Sequence, residues 1–193
     1  MKPSIATLCV LAALTAFSCS KKSPATYRVD FDTSKGPVVV EVTRANAPLG
    51  ADRFYELVNA KFFDGARFFR VVPGFVVQFG MAADPKLNAT WNVPIQDDPV
   101  LVSNTRGTLT FAAESLPNTR TSQLFINLGD NRRLDARRFA VFGKVISGME
   151  NVDRIYAGYG ESPQQDLIEQ NGNAYLEKQF PRLDYIRTAR LAE

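Results

Sequence analysis

The stretch FFDGARFFRVVPGFVVQFG, Phe62 to Gly80, sets Arg70 between Phe69 and Val71, with Phe75 and Gln78 just past Pro73-Gly74. Arg stays protonated at any physiological pH, so Arg70 is a permanent hydrogen-bond donor, not an acid or a base. In strand geometry Phe68, Arg70 and Val72 share one face, and Phe75 and Gln78 are free to return beside them after the turn. Taken alone, the window also describes a half-buried strand with Arg70 on its solvent side, and that bland assignment is the better one at this point. Phe75, Phe125 and Phe139 lie in apolar, strand-like runs and read as core on the same grounds.

Composition narrows the chemistry further. The chain has 193 residues, two Cys and no His. That removes Ser-His-Asp and Cys-His catalysis, a His base, and His-ligated metals. Two Cys exclude a four-Cys zinc or iron–sulfur site. Function must rest on Arg, Lys, carboxylates, amides, hydroxyls and apolar surface. With 45% apolar and 22% charged residues the chain reads as a globular protein with one cored domain. Its net charge of +3 and the short doublets Arg132-Arg133 and Arg137-Arg138, read as a solvated loop, do not amount to a nucleic-acid patch.

Residues 1 to 18 read as an export signal: Lys2 is followed by an uncharged apolar stretch, Ile5 to Phe17, too short to span a bilayer. Ala16-Phe17-Ser18-Cys19 resembles a bacterial lipoprotein box, in which Cys19 becomes the lipidated N-terminus; simple cleavage after a small-x-small site is the alternative. Cys9 leaves with the signal, so the domain holds neither a thiol nor a disulfide. Residues 19 to 26 are then the lipidated Cys and a polar tether. Residues 27 to 191 form the domain. The expected location is the cell envelope, on a membrane facing the periplasm.

The elements that must hold Arg70 follow from patterning. Tyr27 to Thr43 reads as a hairpin, and Pro48 to Ala60 as a helix with Phe54, Leu57 and Val58 on one face. Short apolar runs follow at Arg67–Val72, Gly74–Phe79, Thr108–Ala113, Gln123–Leu128 and Ala140–Ile146. A second helix opens at Gly148 and runs to about Tyr156. Residues 157 to 173 read as a long loop, Ala174 to Phe180 as a helical piece, and Leu183 to Leu191 as a last strand. Short strands punctuated by Pro and Gly point to a barrel or sandwich.

Four signatures occur in order: FxRVxPGFxxQ at Phe68–Gln78, GTLTFA at Gly107–Ala112, PNTxxSQxFI at Pro117–Ile126 and FGKV at Phe142–Val145. Together, and over nearly the whole domain, they resemble the cyclophilins, barrel-shaped peptidyl-prolyl cis/trans isomerases. The resemblance implies a mainly β, closed antiparallel β-barrel capped by two helices. It implies that Arg70, Phe75 and Gln78 are catalytic. Val76, Phe125, Leu134 and Phe139 join Phe75 around the proline ring, and Gln123 with the backbone at Ala112 and Ala113 holds the flanking peptide. It calls for no metal and no cofactor.

The sequence departs from the family pattern in places. Phe139 and Phe69 stand where relatives often carry His, and Val76 replaces a common Met. Arg133 replaces an aromatic that helps bind cyclosporin. Glu114-Ser115-Leu116 makes the loop one residue longer, and Phe79, read as core, and Met81 replace Gly and Asp. Expected partners are proline-containing unfolded or partly folded polypeptides and the membrane through the lipid, for a monomer that binds no nucleic acid. The competing function is a proline-segment binding module or chaperone; a barrel without a peptide site is a third reading.

Overall fold

Alternation along the first two strands dictates the hairpin that begins the domain. In the computed structural model, which describes residues 22–192, β1 (Thr26–Thr33) buries every second side chain and pairs antiparallel with β2 (Gly36–Thr43). Gly36 sits at φ +118°, a conformation L side chains rarely adopt, and Thr33 Oγ1 accepts from the Lys35 N–H at 3.1 Å to close the turn. The tether is shorter than expected. Ser23 is buried and its N–H and Oγ both donate to Asp52 Oδ1 at 2.8 Å, so the fold begins before Tyr27.

Helix α1 (Pro48–Asn59) buries Phe54, Leu57 and Val58, as its spacing requires. Ala47 offers no cap, and the first turn's N–H groups instead reach Asp98, whose carboxylate accepts from Leu49 and Gly50 at 3.1 and 2.8 Å. The remaining elements are β3 (Arg70–Val72), β4 (Val76–Phe79), α2 (Pro85–Trp91), β5 (Thr108–Phe111), β6 (Leu124–Asn127), a 3-10 turn at Arg132–Arg137, β7 (Val141–Ser147), α3 (Met149–Asp153), α4 (Gln165–Asn171), α5 (Asn173–Gln179) and β8 (Ile186–Leu191).

All eight strands pair antiparallel in one sheet of order β3-β4-β6-β5-β7-β2-β1-β8. The sheet is open and curled, where a closed barrel was expected. Its end strands β3 and β8 share no ladder; instead the chain ahead of β3 meets the start of β8, at an Arg67–Tyr185 bridge, through Phe68 N–H to Asp184 O at 2.9 Å and through Ile186 N–H to Ala66 O at 2.9 Å. Inside the curl, α1 presses Phe54 onto Phe142 with ring centroids 5.2 Å apart, and Phe31, Phe63 and Phe79 continue the aromatic core.

Among the described residues five α-helices accompany the sheet, not two. The loop read across 157–173 contains α4, and α2 was not foreseen. The arginine doublets lie on and just past the 3-10 turn instead of in an irregular loop. Phe68 and Arg70 do not share a face, because β3 begins only at Arg70 and the chain ahead of it is irregular. Phe68 and Val71 both enter the main core, while Phe69 enters a second cluster with Met81, Ile168, Leu176 and Leu183. That second cluster docks α4 and α5 beside β3. The export signal and Cys19 lie outside the described residues.

Candidate active site

The turn at Pro73-Gly74 brings Gln78 directly opposite Arg70 in the β3–β4 ladder. Arg70 Nη1 donates to Gln78 Oε1 at 3.1 Å, and Gln78 Nε2 donates onward to Gln123 Oε1 at 2.8 Å. Gln78 is buried, so both ends of its amide are used and its orientation is fixed. On the other side, Glu161 Oε1 accepts from Arg70 Nε at 2.6 Å and lies 2.5 Å from Nη2. Glu161 is carried there by the chain after α3, where Gly160 O accepts the Val71 N–H of edge strand β3 at 3.2 Å. Three of the five guanidinium N–H groups are thus engaged. One on each Nη remains for a bound molecule.

Beside this polar chain lies an apolar one. Val76, Phe125 and Leu134 form a separate buried cluster, with Phe75, Ala112 and Phe139 half-buried around it. Phe125 and Phe139 meet edge-on at 5.6 Å. All ten residues expected at the site, Arg70, Phe75, Val76, Gln78, Ala112, Ala113, Gln123, Phe125, Leu134 and Phe139, line one cleft of about 570 Å³. One detail differs. The Ala112 N–H donates to Gln123 O at 2.9 Å, so that donor is committed to the sheet. The cleft continues past Met81 to Asn88 of α2, to Asn92 just after that helix, and to Gln165, Asp166 and Glu169 of α4, a wall that patterning did not foresee.

Three buried asparagines, also unforeseen, set the pocket walls. Asn131 Nδ2 donates to Phe75 O at 2.8 Å and to Asn127 Oδ1 at 2.7 Å. Asn127 Nδ2 donates to Asn104 Oδ1 at 3.1 Å, and Asn104 Nδ2 reaches Phe139 O at 2.7 Å. The backbone carbonyls of Phe75 and Phe139 are thus tied to one amide network inside the protein. Burial pushes the Asp135 carboxyl up, but hydrogen bonds from Asn104 outweigh this and hold it below the usual carboxylate range. The polar Asn127 inside the apolar run 123–128 was the available signal.

Cations surround the rings. Arg70 and Arg133 stand 5.7 and 4.7 Å from the Phe75 centroid, and Arg120 and Arg137 stand 5.5 and 6.0 Å from that of Phe139. Arg120 is buried, pairing with Asp97 and donating to the carbonyl of Arg138. The apolar pocket itself, Phe75, Val76, Ala112, Phe125, Leu134 and Phe139, carries no ionisable side chain. The cleft can bind a compact apolar ring and aim a permanent donor at its edge.

Comparison with known proteins agrees with this geometry. Residues 28–172 match the family model described as cyclophilin type peptidyl-prolyl cis-trans isomerase/CLD. The chain is 38% identical over 160 residues to peptidyl-prolyl cis-trans isomerase A of Dickeya dadantii, covering 80% of this chain and 84% of that one. It is 41% identical over 133 residues to a peptidyl-prolyl cis-trans isomerase of Acinetobacter baylyi, covering 66% of this chain and 70% of that one. A crystal structure of a Cryptosporidium parvum cyclophilin superimposes with a TM-score of 0.67 at 19% identity, covering 87% of this chain and 98% of that chain. The chain therefore belongs to the cyclophilin-type peptidyl-prolyl cis-trans isomerase family.

Proposed function

We propose that this protein accelerates cis/trans rotation about X–Pro bonds in exported polypeptides, with Arg70 donating a hydrogen bond to the proline nitrogen. Unaided, the rotation faces a barrier of about 18–20 kcal/mol, because amide resonance must be broken, and takes tens to hundreds of seconds. In the twisted transition state the proline nitrogen loses resonance and its lone pair becomes an acceptor. A donor directed at that nitrogen stabilises the twisted form more than the planar one, which is the condition for catalysis. The apolar walls at Phe75, Phe125, Leu134 and Phe139 would grip the ring while Gln78 and Gln123 hold the adjoining chain. The observation carrying this reading is that Arg70 is fixed by Glu161 and Gln78 at the edge of an apolar pocket with two N–H groups to spare. A protease-coupled assay on an X–Pro peptide tests it: acceleration of the slow cis phase is expected, and binding without acceleration would leave only a proline-binding module.

The apolar leader and Cys19 support the further reading that the protein is exported and lipid-anchored. Intact-mass analysis of the membrane fraction is expected to give a chain starting at a lipidated Cys19; an unmodified N-terminus would refute the anchor.

Glu161 is a positioning residue in this scheme. Glu161→Ala is expected to lower kcat about fivefold, the equivalent of the ~1 kcal/mol upper range for an exposed ion pair, with KM little changed. A matched rise in KM instead would mean that Glu161 contacts the peptide.

Turnover should be nearly flat from about pH 6 to 8, because the chain has no His to titrate there. Stability should instead fall in acid. Burial pushes the Asp52 and Asp64 carboxyls up, but hydrogen bonds from Arg44 and Ser23, and from Arg190 and the Ala189 N–H, outweigh it and hold both below the usual range. A depressed carboxyl contributes stability above its unfolded value of about 3.9, and that contribution is lost as pH falls through the lower folded value. Thermal unfolding followed by circular dichroism should therefore show melting temperatures dropping below about pH 4. A steep change in turnover between pH 6 and 8, with the fold intact, would count against the mechanism.

A further inference from the structure

We infer that the cleft prefers client segments carrying Asp or Glu next to the proline, selected by Arg133 and Arg137; this rests on the isomerase reading above. Two arginines close to an aromatic pocket would ordinarily be neutralised by nearby acids. Here the acids of that segment are otherwise engaged. Asp130 pairs with Arg132 at 2.9 Å, and Asp135 accepts from the Asn104 N–H and side chain. Asp97 pairs with Arg120 beneath Phe139. Arg133 and Arg137 are exposed and, among the described residues, make no ion pair.

Their positions matter more than their charge. Each guanidinium lies against a wall of the ring pocket, Arg133 at 4.7 Å from the Phe75 centroid and Arg137 at 6.0 Å from that of Phe139. Resting on a ring restricts a guanidinium before any ligand arrives, so less freedom is lost when it pairs. A residue adjoining the proline has its Cα only about 3.8 Å from the proline Cα, so its side chain falls within reach of the same rim. The acids that line the cleft, Glu114, Asp166 and Glu169, come from the loop after β5 and from α4, not from this wall.

Exchange NMR on two peptide series tests the inference, one varying the residue before proline and one the residue after, each as Glu, Ala or Lys. In at least one series Glu should exceed Lys in kcat/KM by about three- to tenfold, as one or two solvent-exposed ion pairs imply. The ratio should shrink as salt rises from about 0.05 to about 0.5 M. Arg133→Glu/Arg137→Glu should invert it, and Arg133→Ala/Arg137→Ala should flatten it if the first variant folds poorly. Equal rates for Glu and Lys in both series, or a preference surviving both double variants, would overturn the inference while Ala peptides are still accelerated. If the wild-type protein leaves the Ala peptides unaccelerated, the isomerase reading fails and takes this inference with it.

Discussion

Arg70→Ala is expected to lower kcat/KM for X–Pro rotation by about 10²–10³-fold, the usual loss when one preorganised donor to a transition state is removed. The fold should survive, because the side chain is part-exposed and its partners Glu161 and Gln78 stay solvated or bonded without it. Gln78 keeps its bond to Gln123, and Glu161 is left on the surface. Melting temperature should shift by no more than a surface ion pair implies, up to about 1 kcal/mol. Arg70→Lys should recover little. An ammonium is one compact donor centre and cannot contact Glu161, Gln78 and a substrate nitrogen at once, whereas the planar fork can. The measurement is line-shape or exchange NMR on a neutral Ala-Pro peptide, with affinity taken from the same titration. Loss of rate with binding retained is the expected pattern. A variant turning over at near wild-type rate would remove Arg70 from the mechanism.

The Arg70–Gln78 pairing was legible because both lie on one short hairpin whose turn, Pro73-Gly74, sets the register locally. The face of α1 and the core role of Phe79 were legible for the same reason: a few neighbouring residues carry the pattern. Glu161 was not, being 91 residues from its partner and placed by a loop bonded to an edge strand. The short helices were hidden differently. Helix α4 buries only Ile168, and its two apolar residues, Leu167 and Ile168, are adjacent, so they make no periodic stripe. Helix α2 did carry a signal, the N-cap Asp84, which accepts from the Lys86 N–H, with Pro85 in the first turn, but its apolar pattern is limited to the single pair Leu87 and Trp91, and its one fully buried residue is Asn88. The alternation assumed through Phe68, Arg70 and Val72 failed because alternation holds only inside a strand, and the strand starts at Arg70. Whether the curled sheet closes depends on how its end strands meet, which no local pattern encodes.

Arg120→Ala should have the larger effect on stability, about 3–5 kcal/mol, and should also disturb the pocket. The Arg120 side chain is 6% exposed and that of Asp97 13%. Removing the guanidinium leaves a carboxylate with only the Asn118 N–H at 3.0 Å among its partners, and leaves the Arg138 carbonyl without its donor. Arg138 itself holds φ +65°, at the turn that delivers Phe139 to the cleft, and Arg120 lies against the Phe139 ring. The loss should therefore loosen Phe139 as well as the fold, raising KM for a proline peptide while the Arg70 side of the cleft is untouched. Arg120→Lys should rescue little, because one ammonium cannot span the carboxylate, the carbonyl and the ring. Arg120→Met combined with Asp97→Asn separates the two costs. It removes the uncompensated charge, keeps an acceptor for Asn118 and refills the space over Phe139, so chemical denaturation should show a substantial part of the lost stability restored. If Arg120→Ala alone costs less than about 1 kcal/mol, the pair behaves as an exposed one and does not brace the pocket.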